Sequence, residues 1–150
     1  MTTTQKVLWL PEVGADFTLG EHEIPEPGPG EVLVQLQATA LNPLDWKIQQ
    51  SGFYMIKEYP AILGEDGAGI VRKAGAGVTN LTEGDRVSVS LFRGPCCRML
   101  ICLFTIRFFQ TSFGNKYDTY QQYCLTEAAV AVKVSDCRIG IDFFGLTELL

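Results

Sequence analysis

A chain of 150 residues with 47% apolar and 19% charged side chains can bury a core of one domain or a little more, and its composition argues against global disorder. A net charge of −5 without any basic cluster argues against a nucleic-acid surface. The most apolar stretch, MLICLFTI (99–106), is bounded by Arg98 and Arg107. It falls far short of the roughly 20 residues that span a bilayer. MTTTQKVLWLPEV at the N-terminus lacks the charged flank and long apolar run of an export signal. Five cysteines form an odd set without a regular framework, so free thiols and a cytoplasmic setting are expected.

The expected elements are short. KVLWL (6–10) and FTLGEHE (17–23) read as strands. IPEPGPGE (24–31) cannot be helical, because its prolines and glycines enforce an extended, turning loop. EVLVQLQATA follows with Val32, Val34, Leu36 and Ala38 on one face and Gln35, Gln37 and Thr39 on the other, the period of a half-buried strand. Leu33 breaks the pattern and implies some cover on the outer face. Asn42-Pro43 opens a short helix with Asn42 as N-cap, and Gly52 ends it. EYPAILGED (58–66) is loop and then strand, and GAGIVRKAG (67–75) is a small-residue strand running into a turn. RVSVSL (86–91) alternates, and YQQYCLTEAAVAVKVSD (120–136) supplies one or two further strands. Short strands punctuated by Gly and Pro indicate a mainly β barrel or sandwich.

The glycines at 67, 69, 75 and 77 raise the question of a phosphate-binding loop. Gly-x-Gly-x-x-Gly must join a strand to a helix, with the third glycine allowing close packing. From Gly67 the third position is Arg72, from Gly75 it is Asn80, and no helical pattern follows either. No Gly-Lys-Ser/Thr loop exists. These glycines are therefore expected to serve turns and close backbone approach.

EIPEPGPGEVLVQLQATALNPLDWK (23–47), LGEDGAGIVRKAGAGVTNLTEGDRV (63–87) and YQQYCLTEAAVAVKVSD (120–136) together resemble the GroES-like N-terminal domain of the medium-chain dehydrogenase/reductase superfamily. The resemblance covers about 5–90 and 114–136 and implies a partly open β-barrel with short helices over 1–136. Within the superfamily, LNPLDWK (41–47) is most similar to the zinc-free fungal enoyl reductases of polyketide pathways and to quinone oxidoreductases. Zinc-dependent members carry a Cys in this cleft turn and Gly-His-Glu before the glycine-rich strand. Here the turn offers Asn42, Pro43 and Asp45, and the second site reads Gly64-Glu65-Asp66. Two carboxylates and an amide suit a hard cation better than zinc, and the resemblance marks a metal-free site. Glu65 and Asp66 are then expected as turn residues or hydrogen-bond partners, solvated as loop carboxylates usually are. Cys96, Cys97, Cys102 and Cys124 lack the close spacing of a structural zinc lobe. His22, the sole histidine, reads as a surface residue, which leaves no Ser or Cys triad.

The resemblance implies hydride transfer from NADPH to an activated carbon–carbon double bond of an enone or enoyl substrate, with an enolate oxygen to be stabilised. It places Leu44, Asp45, Trp46 and Lys47 against the cofactor. Lys47 is the first candidate to favour the developing charge and Tyr54 a second, while Trp46 is expected to pack and Asn42 to cap. The plain alternative for Lys47 is a solvated helix lysine.

Two features depart from the family. Its cofactor phosphates sit on a following Rossmann unit. Only CRIGIDFFGLTELL (137–150) remains here, less than the roughly 30 residues of one βαβ unit. The chain is therefore expected to lack most cofactor affinity and to be inactive as a fragment. SLFRGPCCRMLICLFTIRFFQTS (90–112) is unusually apolar for the family's link. It reads either as translated intervening sequence in a truncated product or as an insertion forming an extra buried strand or helix. A non-enzymatic GroES-like interaction module is the alternative function, and a metal module using Cys96, Cys97 and Cys102 a weaker one.

Overall fold

The computed structural model describes residues 3–52, 56, 58–90 and 115–134. Tyr54, Cys96, Cys97, Cys102, the stretch 91–112 and the tail 137–150 lie outside the described residues.

The first sheet is built on β1 (Thr4–Leu10), which pairs antiparallel with β2 (Thr18–Glu23) from Thr4↔Glu23 to Trp9↔Thr18. Its other edge takes β4 (Ala61–Ile62), the strand expected after the loop in EYPAILGED, here only two residues long. The second sheet is centred on β3 (Glu31–Thr39) and β5 (Asp66–Ala74). Around them lie β6 (Arg86–Ser90), β7 (Tyr123–Glu127) and β8 (Val132–Lys133), in the order β7-β3-β5-β6-β8. Every pairing among the described strands is antiparallel. The glycine-rich stretch is β5 and the turn after it, as its small residues suggested.

Alternation explains β3. Val32 and Val34 are wholly buried in a core with Val71, Val87, Val89 and Cys124, and Leu36 packs against its edge. Leu33, which broke the period, is also buried, at 8% exposure, so the outer face is covered there. Register shifts at Leu33/Val34 and Leu36/Ala38 opposite β5 bend the pair, as bulges do. Gly69 permits the close approach of the two strands: a Cβ at that position would stand 2.2 Å from the Gln35 carbonyl oxygen.

The segment before β7 joins the sheets. Gln121 bridges Val7, Leu8 N–H bonds the Tyr120 carbonyl at 2.9 Å, and Gln122 N–H bonds the Lys6 carbonyl at 3.2 Å. Gln5 and Gln121, both almost fully buried, reinforce the seam: Gln5 Nε2 donates to Gln121 Oε1 (3.0 Å), and Tyr123 N–H donates to Gln5 Oε1 (2.6 Å). One sheet thus bends into the other without closing, the partly open barrel that was expected.

α1 (Pro43–Ser51) forms where the signals predicted it, with Asn42 as N-cap, Pro43 in the first turn and Gly52 at φ 72° as C-cap. Gly52 N–H bonds the Ile48 carbonyl at 2.8 Å. Ile48 is 2% exposed and, with Leu44, seats the helix on a second core of Val7, Leu10, Ile62, Leu63 and Tyr120. Burying the Ile48 side chain alone contributes roughly 1.5–3 kcal/mol.

Candidate functional site

The first turn of α1, the end of β3 and the segment Thr119–Gln122 surround a cleft of about 1140 Å³. Its wall is rich in amides and hydroxyls: Gln35, Gln37, Thr39, Asn42, Gln49, Thr119, Tyr120 and Gln122. Apolar contributions come from Leu8, Phe17, Leu36, Leu41, Pro43 and Trp46.

Of the sequence candidates, Asp45 and Trp46 line this cleft. Asp45 sits one turn into α1 and is 4% exposed. Its Oδ2 accepts the Asn42 N–H at 2.7 Å, which fixes the start of the helix, and the Tyr120 hydroxyl donates to the same oxygen at 2.9 Å. Trp46 does not pack into a core; it is 50% exposed at the cleft wall. Lys47 is exposed, with its Nζ 5.8 Å from the Trp46 ring centroid, and is not among the cleft-lining residues. Leu44 turns the other way and packs against the second core. His22 is half-buried and meets Trp9 edge-on at 5.3 Å between centroids.

Behind the cleft the chain departs from the expectation of solvated loop carboxylates. Glu65 is 4% exposed, because Leu63–Asp66 is drawn under the barrel wall rather than left in a surface turn. Tyr120 N–H bonds the Leu63 carbonyl (2.9 Å) and Thr119 N–H bonds the Gly64 carbonyl (3.0 Å). Gly64 makes this possible. It sits at φ 101°, and a Cβ there would stand 2.5 Å from both Thr119 Oγ1 and the Tyr120 ring. Asp66 is a hydrogen-bond partner, as expected: its Oδ2 accepts from Asn42 Nδ2 at 3.0 Å, and its carbonyl accepts from Thr39 Oγ1 at 3.0 Å and Ala40 N–H at 2.9 Å.

Asp45, Glu65 and Asp66 thus form an acidic group beneath the cleft. Burial pushes the Glu65 carboxyl up to about 7, and the neighbouring Asp45 and Asp66 charges add to the effect. Burial also raises Asp45, against the opposing pull of the Asn42 N–H and the Tyr120 hydroxyl. Burial first, then the Asp45 charge, holds the Tyr120 phenol protonated. Asp45 Oδ1, Glu65 Oε1 and Asp66 Oδ1 have no hydrogen-bond partner. The donor set has no thiolate or imidazole, and among the described residues no group of three or more His, Cys, Asp or Glu side chains is placed to hold a metal ion. Cys124 is fully buried in the first core, and burial pushes its thiol up to about 12.

Tyr120 was missed as a site residue. Its motif, YQQY, reads as strand, and its partner Asp45 lies 75 positions away. No local signal reports such a contact.

Residues 28–136 match the alcohol dehydrogenase GroES-like domain. The trans-enoyl reductase tazE of Aspergillus terreus is 32% identical over 136 residues, which cover 91% of this chain and 41% of that protein. Among solved structures, benzyl alcohol dehydrogenase from Acinetobacter calcoaceticus superposes with a TM-score of 0.73 at 27% identity, covering 91% of this chain and 42% of that one. The quinone oxidoreductase of Pseudomonas syringae pv. tomato DC3000 gives a TM-score of 0.65 at 28% identity, covering 89% and 34%. The chain therefore spans less than half the length of these relatives. No helix among the described residues is long and apolar enough to cross a membrane. The matched domain, the antiparallel open barrel and the cleft beside α1 together establish that the chain belongs to the alcohol dehydrogenase GroES-like domain family of the medium-chain dehydrogenase/reductase superfamily.

Proposed function

We propose that this chain supplies the substrate-side wall of a reductase that passes a hydride from NADPH to an activated carbon–carbon double bond, without zinc. The observation that carries the reading is the cleft itself: a half-exposed Trp46 beside amides and hydroxyls, with no group of metal-ligating side chains among the described residues. The likeness to a trans-enoyl reductase over most of the chain supports the choice of an enone or enoyl substrate over an alcohol.

When bound, the nicotinamide supplies the hydride. The chain's own residues position and polarise. Asp45 fixes the start of α1, so Trp46 offers a rigid apolar face to a planar ring. Lys47 is exposed with its Nζ 5.8 Å from the Trp46 ring, outside the cleft lining, and is the proposed positive charge to favour a developing negative charge on a substrate oxygen. Leu44 acts from behind by seating the helix on the core. Tyr54 follows α1 in sequence and is the second proposed donor.

The described residues contain no parallel strand pair and no glycine loop opening a helix, so they provide no amide cradle for phosphates. Titrating this polypeptide with NADPH, followed by nicotinamide fluorescence, is expected to give a dissociation constant in the millimolar range. A micromolar constant would overturn the assignment of phosphate binding to another part of the site.

A further inference from the structure

Two glutamines at the end of the cleft away from α1 have their amide polarity set by what they bond. Gln35, in β3, accepts Arg72 Nε at 2.8 Å and Arg72 Nη2 at 2.5 Å on its Oε1. A guanidinium only donates, so the atom facing it must be the oxygen, and the other terminal atom must be the NH2. Gln122, just before β7, accepts the Lys6 N–H on its Oε1 at 3.0 Å, and a main-chain N–H imposes the same polarity. Among the described residues neither Nε2 has a hydrogen-bond partner. Neither belongs to the buried polar atoms left unpartnered, which leaves both open to a ligand. Both residues are half-buried and line the cleft.

The two stand at one end of it. Leu36 N–H bonds the Gln122 carbonyl at 2.9 Å, so Gln122 lies beside the chain neighbour of Gln35. Thr39 marks the other end, where Thr39 Oγ1 and Asn42 Nδ2 both bond Asp66 next to the first turn of α1. The four residues of strand from Gln35 to Thr39 span about 13 Å. Asp45 is the sole charged residue lining the cleft among the described residues, and it is 4% exposed. A bound anion would therefore meet no opposite charge in the wall, whereas a neutral oxygen with lone pairs would meet two N–H donors. Arg72 strengthens the first of these, because hydrogen bonds in a chain polarise one another.

We propose that Gln35 and Gln122 form a donor-only subsite that holds a second, neutral carbonyl oxygen of the substrate at the end of the cleft away from Trp46. This rests on the proposed function for one point, that Trp46 marks the reacting end. A substrate chain with a ketone, ester or amide carbonyl at that remove is held at both ends. A plain alkyl chain is held at one. A terminal carboxylate gains the same two donors but leaves water without a cation to receive it. The subsite thus selects by the oxygenation of the chain and not by its length alone.

The test is proton–nitrogen NMR of the labelled chain, titrated with three enone probes of equal chain length. One carries a ketone at its far end, one a methylene there and one a carboxylate. The side-chain NH2 signals of Gln35 and Gln122 are followed together with the Trp46 indole N–H. The ketone probe is expected to bind about three- to tenfold more tightly than the methylene probe, the worth of one hydrogen bond, and to move both NH2 signals. The carboxylate probe should bind no more tightly than the methylene probe. Gln35→Glu and Gln122→Glu keep an oxygen for Arg72 and for the Lys6 N–H but remove the NH2. Each should weaken the preference for the ketone and leave the affinity of the methylene probe unchanged. Equal affinities for ketone and methylene, unmoved NH2 signals, or a preference that survives both substitutions would overturn the subsite; a Trp46 shift in the same samples would leave the enone reading standing. A tighter carboxylate probe would also overturn it and make Arg72 an anion site. NH2 shifts without a Trp46 shift would support the subsite and contradict the enone reading. No shift at any of the three at tens of millimolar would overturn both. Should a Glu variant fail to fold, the ranking of the three probes on the unaltered chain decides alone.

Discussion

Gly69→Ala tests why the chain needs its glycine-rich strand. Gly69 pairs with Leu36 on β3 and with Val87 on β6, in the middle of the larger sheet. The new methyl carbon would stand 2.2 Å from the Gln35 carbonyl oxygen, 2.8 Å from its carbonyl carbon and 2.8 Å from Val34 Cγ1. Ordinary non-bonded contacts begin at roughly 3.5 Å, so the gap is short by more than about 1 Å, and the main obstacle is backbone that cannot rotate aside. Displacing β5 from β3 by that amount strains the ladders on both sides. Overpacking of this kind costs about 1–3 kcal/mol, with the upper end expected where two hydrogen-bonded strands must separate. With a urea slope of about 1.5 kcal/mol/M, a loss of about 3 kcal/mol lowers the unfolding midpoint by about 2 M. Gly77→Ala is the control in the same stretch. Gly77 sits at φ 81° with nothing within 4 Å of its missing Cβ, so only left-handed strain of about 1–2 kcal/mol is incurred. Urea unfolding followed by circular dichroism should rank Gly69→Ala as the more destabilised. Equal midpoints, or a Gly69→Ala variant within about 0.5 kcal/mol of wild type, would refute the close-approach explanation.

Two further outcomes follow from buried polar groups. The folded chain holds the Glu65 proton more tightly than the unfolded chain, with the carboxyl near 7 against 4.5. Its contribution to stability is therefore complete below about pH 4.5 and is lost as pH rises through about 7, a fall of about 3 kcal/mol. Urea unfolding at pH 5 and pH 8 should show that fall in wild type and a flat response in Glu65→Gln; the same fall in both would exclude Glu65 as the source. Gln121→Leu removes the donor that serves the Asn115 carbonyl at 2.8 Å and the Asp118 carbonyl at 2.6 Å, and leaves Gln5 Nε2 without its Gln121 acceptor. Gln5 Nε2 keeps the Glu23 carbonyl at 3.4 Å, so the main cost is the buried bond to the Asp118 carbonyl, and the loss should be about 1–3 kcal/mol. A smaller loss would show that the seam between the sheets does not depend on this side chain.

Much of the architecture was legible because it is encoded locally. The alternation of Val32 and Val34, the Asn42-Pro43 start and Gly52 stop of α1, and the small residues of β5 each act within a few positions. β4 was legible as a strand after the loop in EYPAILGED, but not its extent, since a two-residue strand has no period and is bounded by the edge that β1 offers. The site was harder to read for the same reason. Glu65 looked like a loop carboxylate, yet it is buried because Tyr120 and Thr119 close over Gly64, a contact between distant segments. Leu44 and Trp46 are only two positions apart, but the 100° turn per residue of a helix sends one to the core and the other to the cleft. A motif read as a block cannot make that division.

The most direct test of the cleft assignment is backbone-amide shift mapping with reduced nicotinamide mononucleotide, the half of the cofactor that carries the reacting ring. The account predicts shifts concentrated in the first turn of α1 around Asp45 and Trp46 and in Thr119–Gln122. Shifts confined to the far edge of the larger sheet, around β6 and β8, would contradict it, as would none at all in the tens of millimolar.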